Sequence, residues 1–428
     1  MKKGAAKLII ISFDAAGDRV FDRLAALPAT GALFRSAAVV RKVRSVFLTN
    51  TYPVHASVVS GVHPAEHGLF SNEPPFPAHY PVWNFRASGI RAKTLWQAAA
   101  EKGLTAASVL WPVTGGAREI RWNLPEIMPR PGDNQILLNL KNGTKFTQLR
   151  LWLKYRRLLE GISQPARDRF AAACMADILR RHKPDLALMH FTCYDTLCHH
   201  HGEDWTVLEK ALRVMDEGLS RLLEAAGGEG DEKPAVIVFS DHAQLPLQQS
   251  ILPNDILAEM GLLDKDEGGE YRMTGAGCFF ECAGGSAFFH PGAALLAACL
   301  GEIRARVEKS PGFNRYLTPE EMRLSGRGEL PFGFCALPGY DYAVYNKGEK
   351  GQHGYPADYK DYEVFYAVRG RGVKTGAVFE GGSLLDLAPI ALRLLGDGLP
   401  ENRKPVIPRL PPARDELFNV GERKEEHI

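Results

Sequence analysis

Six aspartate and histidine side chains in this sequence are of the types that bind transition metals, and they fall in four short segments. The segments are "SFDA", "YDTLCHHHG", "SDHAQ" and "GQHGY", and the side chains are those of Asp14, Asp195, His199, Asp241, His242 and His353. Mixed aspartate and histidine ligands suit zinc, and six of them are more than one tetrahedral ion needs. Asp195 and His199 are four residues apart, which brings both onto one face of a helical turn. The pattern therefore predicts a site for two metal ions, which together can clamp a phosphoryl group.

Thr51 is the candidate seventh donor, in the stretch "LTNTYPVHASVVSG" of residues 48–61. Pro53 suits the first turn of a helix, and Gly61 can end that helix in a left-handed conformation. Thr51 is thus expected just outside a helix N-terminus, where free N–H groups and the helix dipole favour an anion. Its hydroxyl is either an ordinary cap or a nucleophile facing a phosphate, and a bound metal would favour the nucleophile by lowering the hydroxyl pKa.

Each of these residues also has an ordinary structural explanation. An aspartate at a strand end can cap a helix, a histidine between glycines can be a loop residue, and an Asp–His pair four residues apart can be an exposed pair of little energetic value. What favours a shared site is that all of these residues are expected at the same edge of one sheet.

That edge is predicted from the elements that must position the residues. Continuous apolar runs at 7–15, 105–112, 185–192 and 235–242 indicate buried strands, and the last two are preceded by helical patterns at 166–182 and 203–227. Strands that alternate with helices favour an α/β fold with a parallel sheet covered on both faces. In such sheets ligands bind beyond the carboxyl ends of the strands, and the candidate aspartates follow those ends.

Composition limits the function classes. The 428 residues carry a formal net charge of +2, with 45% hydrophobic and 24% charged residues, which is ordinary for a globular protein and indicates no binding of nucleic-acid polymers or membranes. The apolar run after the N-terminus is too short for a signal peptide, and no run is long enough to span a membrane. Seven cysteines without a CxxC pair predict reduced thiols and a cytoplasmic location.

The alternation of strand and helix patterns is interrupted after residue 249. The region that follows contains glycine-rich turns and four of the seven cysteines. Helices are predicted at 292–310 and at 381–396, the latter capped by Ser383. The predicted units are a catalytic core of residues 1–249 and 346–400, an inserted cap subdomain of residues 250–345, and a surface or partly disordered tail of residues 401–428.

The ordered segments "SFDA", "TNTYPVHASVVSGVHPAEHGLFSN", "DTLCHHHG", "SDHAQ" and "GQHGY" resemble the type I phosphodiesterase and nucleotide pyrophosphatase branch of the alkaline phosphatase superfamily. The resemblance extends from about residue 7 to residue 395. It implies an alkaline phosphatase-like fold, with a mainly parallel central sheet, helices on both faces and an inserted cap.

The resemblance also implies roles for individual residues. Thr51 matches the nucleophile that forms a covalent phospho-enzyme, and Asn72 matches an asparagine that hydrogen-bonds a non-bridging phosphoryl oxygen. Tyr52 offers one face for stacking a nucleobase, while the second stacking position falls near His190. Two zinc ions, or other divalent transition metals, are implied: one set of ligands is Asp14, Thr51, Asp241 and His242, and the other is Asp195, His199 and His353.

The expected function is hydrolysis of phosphodiester or pyrophosphate bonds in small, nucleotide-like substrates through phospho-Thr51. A phosphonoacetate hydrolase, which cleaves a carbon–phosphorus bond with nearly the same ligand set, is the alternative enzyme, and a non-catalytic metal-stabilised binding protein is the alternative class. Neither a sulfatase Cys/Ser-x-Pro-x-Arg motif nor the Ser and Arg of alkaline phosphomonoesterases is found. The sequence leaves the leaving group and the oligomeric state open.

Overall fold

The computed structural model describes residues 7–74, 83–130, 132–159, 163–228, 233–275, 277–292 and 297–419. Its strands are β1 Leu8–Phe13, β2 Ala38–Val43, β3 Ala106–Val109, β4 Ile120–Leu124, β5 Leu186–Phe191, β6 Ala235–Phe239, β7 Leu245–Pro246, β8 Gln249–Ile251, β9 Leu263–Lys265, β10 Tyr271–Met273, β11 Phe279–Cys282, β12 Ser286–His290, β13 Phe313–Tyr316, β14 Gly333–Ala336, β15 Tyr340–Tyr342, β16 Gly351–Gln352, β17 Val364–Arg369 and β18 Val378–Glu380.

The α-helices lie between these strands or follow them. They are α1 Phe21–Ala25, α2 Pro28–Arg35, α3 Thr51–Ser60, α4 Pro64–His67, α5 Leu95–Glu101, α6 Gln135–Asn142, α7 Lys145–Tyr155, α8 Ala166–His182, α9 Cys193–His201, α10 Trp205–Ala226, α11 Asn254–Glu259, α12 Ala297–Glu308, α13 Pro319–Leu324 and α14 Leu387–Gly396. Among the described residues, no helix combines the length and the apolar character needed to cross a membrane.

Eight strands form the central sheet, in the order β18, β2, β17, β6, β1, β5, β3, β4. The five strands from β6 to β4 run parallel, and β17 is antiparallel to both of its neighbours, β2 and β6. Strand β1 is buried along its whole length, and its Ile10 lies opposite Leu188 of β5 and Ile237 of β6. Such continuous apolar runs are what a parallel sheet covered on both faces requires. The predicted α/β class with a mainly parallel sheet is therefore confirmed.

The side chains of successive β1 residues point alternately to the two faces of the sheet and pack against the helices that cover each face. Ile9 and Ile11 pack in the layer that contains α8 and α10, while Leu8 and Ile10 pack in the layer that contains α3, α5 and α14. This alternation follows from the twofold period of a strand. It also places α3, which carries Thr51, directly against the sheet.

The predicted strands are each observed, shorter by two to four residues in total, and helix 166–182 is observed as α8 with the same bounds. The helix predicted at 381–396 differs. Ser383 caps a 3-10 turn over Leu384–Asp386, and the α-helix begins only at Leu387, because the Asp386 side chain folds back onto the Ser383 N–H. Of the helix predicted at 292–310, the structure has Ala297–Glu308, and residues 293–296 lie outside the described residues.

Residues 250–345 contain a second, antiparallel sheet with the strand order β11, β12, β14, β13. It has its own apolar cluster, in which Phe280, Phe289 and Phe334 are fully buried. The predicted boundaries of the cap subdomain stay a prediction. The tail predicted from residue 401 packs in part against the core, since Leu417 and Phe418 are buried and the Arg393 guanidinium lies over the Phe418 ring. The part from residue 420 onwards lies outside the described residues.

Candidate active site

The carboxyl ends of three adjacent strands bring the candidate residues together. Asp14 directly follows β1, Asp241 and His242 follow β6, and Asp195 lies in the first turn of α9, which follows β5. Thr51 is the first residue of α3 rather than the residue outside it, because Asn50 takes the extended N-cap conformation. Gly61 ends this helix at φ 73°, in the left-handed region that the sequence predicts.

Thr51, Asp14, Asp241 and His242 form the first group of donors. The Oγ1 atom of Thr51 lies 3.2 Å from Nε2 of His242. The same Nε2 lies 3.4 Å from Oδ1 of Asp14 and 3.4 Å from Oδ2 of Asp241. One ligand atom from each of Asp14, Asp241 and His242 falls within 4.8 Å of the others, so these three side chains could hold one ion.

The second group lies beside the first. Asp195 and His199 share a face of α9, with 3.4 Å between Oδ1 and Nε2. The ring of His353 lies 5.2 Å from that of His199 and 4.2 Å from that of His242, measured between centroids. Ligand atoms of Asp195, His242 and His353 also fall within 4.8 Å of one another. The two predicted sets are therefore contiguous, and they meet at His242 and His353.

Hydrogen bonds fix which ring nitrogen each histidine offers. Nδ1 of His199 lies 2.9 Å from the Gly351 carbonyl oxygen, and Nδ1 of His242 lies 3.2 Å from that of Ala243. A carbonyl oxygen only accepts hydrogen bonds, so Nδ1 carries the proton and Nε2 is left to bind a metal. His353 is held in the same way, with Nδ1 3.0 Å from Oδ1 of Asn50.

The carboxylates also fit a divalent cation. Asp14 Oδ1 and Asp241 Oδ2 are buried and have no hydrogen-bond partner among the described residues. Burial, together with the charge of Asp241, holds the pKa of Asp14 well above its usual range. Burial opposes the charged form of His199, but the Asp195 carboxylate outweighs it and raises the pKa of His199 to about 9. A proton on Nε2 of His199 competes directly with a metal ion for that nitrogen.

Asn72 lies beside the first turn of α3, which carries Thr51. Its Oδ1 accepts a hydrogen bond of 2.9 Å from the Tyr52 N–H, which leaves the amide N–H₂ as a donor toward the cavity. That cavity has a volume of about 310 Å³ and is lined on one side by Thr51, Asn72, Asp195, His199 and His353.

The opposite wall of the cavity comes from the 250–345 region and the segment after it. Glu281, Cys282, Tyr342 and Lys347 are among its lining residues. Sequence reasoning left this wall unassigned, because no motif marks these residues and only the fold brings them to the cavity.

The structure differs from the stacking expectation for Tyr52, and it places His190, whose stacking role the sequence left open, away from the cavity lining. The Tyr52 ring is fully buried and packs edge-on against Trp83, with 5.1 Å between centroids, so Trp83 and not Tyr52 faces the cavity. His190 is also fully buried, behind the donors rather than at a stacking position. Its Nε2 lies 3.1 Å from Oδ2 of Asp14, and burial lowers its pKa to about 3.

His55 completes this inner layer and was not among the predicted site residues. It lies one helical turn after Thr51, and its Nδ1 donates to the Thr51 carbonyl oxygen over 2.7 Å. The same nitrogen lies 3.5 Å from Oδ2 of Asp241. Its spacing of four residues from Thr51 is a signal that could have placed it here.

These observations define a class first: an α/β protein with an acidic and histidine-rich site, able to bind metal, around a threonine hydroxyl at a helix N-terminus. The chain belongs to the type I phosphodiesterase/nucleotide pyrophosphatase family, whose model matches residues 8–355.

Curated relatives match over parts of the chain. Human ectonucleotide pyrophosphatase/phosphodiesterase family member 1 is 28% identical over 107 residues, which are 24% of this chain and 11% of that protein. The rat protein of the same name is 23% identical over 223 residues, which are 50% of this chain and 21% of that protein. The matched regions thus span about a fifth or less of these relatives' lengths.

Solved structures share the fold over nearly the whole chain. Human ectonucleotide pyrophosphatase/phosphodiesterase 5 superimposes with a TM-score of 0.65 at 18% identity, covering 97% of this chain and all of that one. An inactive variant of the murine protein, in complex with AMP, gives a TM-score of 0.62 at 16% identity, covering 92% and 96%. The predicted alkaline phosphatase-like fold is therefore confirmed.

Proposed function

We propose that this protein hydrolyses phosphodiester or pyrophosphate bonds in small nucleotide-like substrates through a covalent phospho-Thr51. The observation that carries the proposal is the position of the Thr51 hydroxyl. It lies at the N-terminus of α3, 3.2 Å from Nε2 of His242 and at the wall of the cavity.

The donors fit two divalent cations, and zinc suits their mixed oxygen and nitrogen character. Asp14, Thr51, Asp241 and His242 would hold one ion, and Asp195, His199 and His353 would hold the other. When bound, such ions supply charge that stabilises a phosphoryl group and favours the ionised hydroxyl.

The chain's own residues carry the reaction in two steps. Thr51 Oγ1 loses its proton and forms a bond to phosphorus, while the bond from phosphorus to the leaving-group oxygen breaks. Water then attacks the phospho-threonine, which releases the phosphate or phosphate monoester and restores the hydroxyl. In both steps the Asn72 amide can donate to a non-bridging oxygen, and the N-terminus of α3 favours the anion.

The nucleotide part of the proposal is supported by the fold neighbour solved in complex with AMP and by Trp83, whose ring faces the cavity. An aromatic ring at the wall gives a base a stacking surface. Glu73, Pro74 and Tyr342 line the same cavity as Trp83.

The experiment is a substrate panel with zinc added: a nucleotide diester, a dinucleotide pyrophosphate, the matching monoesters and phosphonoacetate. We expect turnover of the diester and the pyrophosphate by the native protein and its loss in Thr51→Ala. Turnover of phosphonoacetate alone would instead identify the alternative carbon–phosphorus hydrolase. Metal uptake without turnover of any substrate would identify a metal-stabilised binding protein.

The cytoplasmic location also stays a proposal. It is supported by the cysteines, which are all free thiols, four of the seven belonging to the 250–345 region. The curated relatives carry the prefix "ecto" in their names, so fractionation of the native source is the direct test.

A further inference from the structure

The exposed apolar side chains of this protein are concentrated on one feature, the helical pair α6–α7 and the segment before it. Eleven large hydrophobic residues are exposed among the described residues, and seven of them fall between residues 128 and 153. These seven are Met128, Ile136, Leu137, Phe146, Leu149, Trp152 and Leu153. Scattered single residues of this kind are normal on a protein surface, but a contiguous group indicates an interaction site.

The two faces of α7 differ sharply. Phe146, Leu149 and Leu153 follow one another at spacings of three and four residues, so they share a face, and the Phe146 side chain is 87% exposed. Leu151 is fully buried on the opposite side. Arg150, four residues after Phe146 and three before Leu153, lies at the edge of the exposed face and forms an ion pair with Asp177 of α8, as does Lys154. We call the exposed residues of α6 and α7 the outer face. In the part of the chain that the structure describes, its apolar side chains are exposed by between 39%, for Trp152, and 87%, for Phe146.

The charge on the helical pair itself, from Asn134 to Leu159, has one sign. Residues 134–159 contain six lysines and arginines and no aspartate or glutamate. Two of the six are the partners of Asp177. The other four have no ion pair within the described ranges and are Lys141, Lys145, Arg156 and Arg157. The net charge of +2 for the whole chain, which taken alone indicated no membrane binding, conceals this local excess.

We propose that the outer face of α6–α7 docks this protein onto the surface of an anionic phospholipid bilayer. Exposed Trp, Phe and Leu side chains flanked by lysines and arginines are what an interfacial helix needs, because the apolar groups enter the boundary of the acyl chains while the cations bind the head groups. A second copy of the chain is a poor occupant. In a twofold interface the same surface meets itself, which would bring the unpaired cations of both copies together.

The test is sedimentation of the full chain with vesicles of phosphatidylcholine, with and without phosphatidylserine. We expect binding to the anionic vesicles, weakening as salt is raised. Phe146→Ser with Leu149→Ser should lower the partition coefficient at least about tenfold. Lys145→Gln with Arg157→Gln should lower it about 25-fold, since each cation near the surface contributes about fivefold.

The matched control is Val378→Ser with Val406→Ser, which removes exposed apolar side chains elsewhere on the surface. It should bind vesicles like the native protein. All three variants should keep native circular dichroism and native turnover of a small soluble substrate, because none of the substituted residues lines the cavity.

Two results would overturn the proposal. One is failure of the folded native protein to bind anionic vesicles at low salt. The other is self-association that the Phe146→Ser, Leu149→Ser variant abolishes in analytical ultracentrifugation while vesicle binding is absent, which would assign the outer face to a second copy. Neither result bears on the phosphohydrolase proposal.

Discussion

At the scale of single residues, a substitution of Thr51 can distinguish a role in catalysis from a role in helix stability. Its side chain does not cap α3, since Asn50 is the N-cap and Thr51 Oγ1 instead contacts His242. Thr51→Ala should therefore lower the free energy of unfolding by no more than about 1 kcal/mol. It should remove most of kcat, because no oxygen remains to form the covalent intermediate.

Thr51→Ser is the matched control and should retain a measurable part of the turnover, because it keeps the hydroxyl. The measurements are steady-state kinetics and thermal unfolding on the same preparations. Near-native turnover by Thr51→Ala would return this residue to a purely structural role.

The metal ligands make a second residue-scale prediction. The purified native protein should contain close to two zinc-class ions per chain, and Asp241→Ala or His353→Ala should lower both this number and the rate. His201→Ala is the control, since His201 is exposed at the end of the helix that carries His199. The assignment fails if elemental analysis finds full occupancy in both ligand variants.

Some residue-scale expectations could not come from the sequence, and the reason is geometric. The six candidate Asp and His donors are tied to strand ends, turns and fixed spacings, so the sequence pattern could predict that they lie together. The sequence pattern does not show which way an aromatic ring points. Whether Tyr52 or Trp83 faces the cavity is decided by packing between segments some 30 residues apart along the chain.

At the scale of elements, a buried ion pair ties the second sheet to the loop that carries Asn72. Arg327 forms a bidentate pair with Glu281 of β11 and also donates to the Phe70 carbonyl oxygen over 3.2 Å, two residues before Asn72. Both side chains are buried, and the guanidinium lies 4.1 Å from the Phe288 ring centroid. This contact makes Arg327 a positioning residue for Asn72.

Arg327→Met should lower kcat about tenfold or more while KM changes little, if Asn72 acts mainly in the transition state. It should also destabilise the fold by about 3–5 kcal/mol, since it leaves a buried carboxylate without its cation. Arg327→Met with Glu281→Gln should recover much of the stability but not kcat. If the double variant recovered kcat as well as stability, Arg327 would affect the rate only by stabilising the fold.

The same pair predicts a pH dependence of stability. Burial alone would raise the pKa of Glu281, but Arg327 and His290 outweigh it and lower the pKa from 4.5 to about 2. Because the folded-state pKa is the lower one, this stabilisation is complete above pH 4.5 and is lost as the pH falls toward 2. It corresponds to about 3 kcal/mol. Denaturant unfolding of native protein and Glu281→Gln should show a shallower loss in the variant across this range, and equal slopes would contradict the assignment.

The elements that the sequence predicts well are those whose formation is indicated by residues close together in the chain. Strands such as β1 and β6 are unbroken apolar runs, and α8 and α10 have a clear helical period. The antiparallel sheet of β11 to β14 has strands of four or five residues joined across some 40 residues of chain. Its pairing depends on tertiary contacts, and the periodicity of such short runs does not reveal it.

At the scale of the whole molecule, function depends on how distant segments converge. The parallel sheet sets Asp14, Asp195 and Asp241 side by side because their strands are neighbours, which the order of the chain does not reveal. Fold class and ligand types together were enough to predict the site edge. The wall with Glu281 and Lys347 was not predictable, since only tertiary contacts bring these residues of the second sheet and of the segment after it to the cavity.

The charges in this wall of the cavity affect whether the site favours a diester or a more highly charged monoester. A phosphate monoester carries more negative charge than a diester, so an enzyme that favours monoesters needs an additional cation facing the phosphoryl group. The non-metal donor beside Thr51 is the neutral amide of Asn72. The one lysine among the cavity-lining residues, Lys347, is accompanied by acids: burial lowers its pKa, but the attraction of Glu349 and Glu73 outweighs this and leaves the pKa raised. Its charge is thus largely offset by these neighbours.

We therefore expect kcat/KM for an aryl phosphodiester such as bis-p-nitrophenyl phosphate to exceed that for p-nitrophenyl phosphate by at least about tenfold, or about 1.4 kcal/mol in transition-state binding. Glu73→Gln with Glu349→Gln should narrow this ratio, because it leaves the Lys347 charge uncompensated, whereas Lys347→Met should leave the ratio unchanged or widen it. The measurement is the pair of specificity constants for each variant at saturating zinc. A monoester preference in the native protein would contradict this reading of the site, and a ratio that the two acidic substitutions fail to move would show that Lys347 does not reach the phosphoryl group.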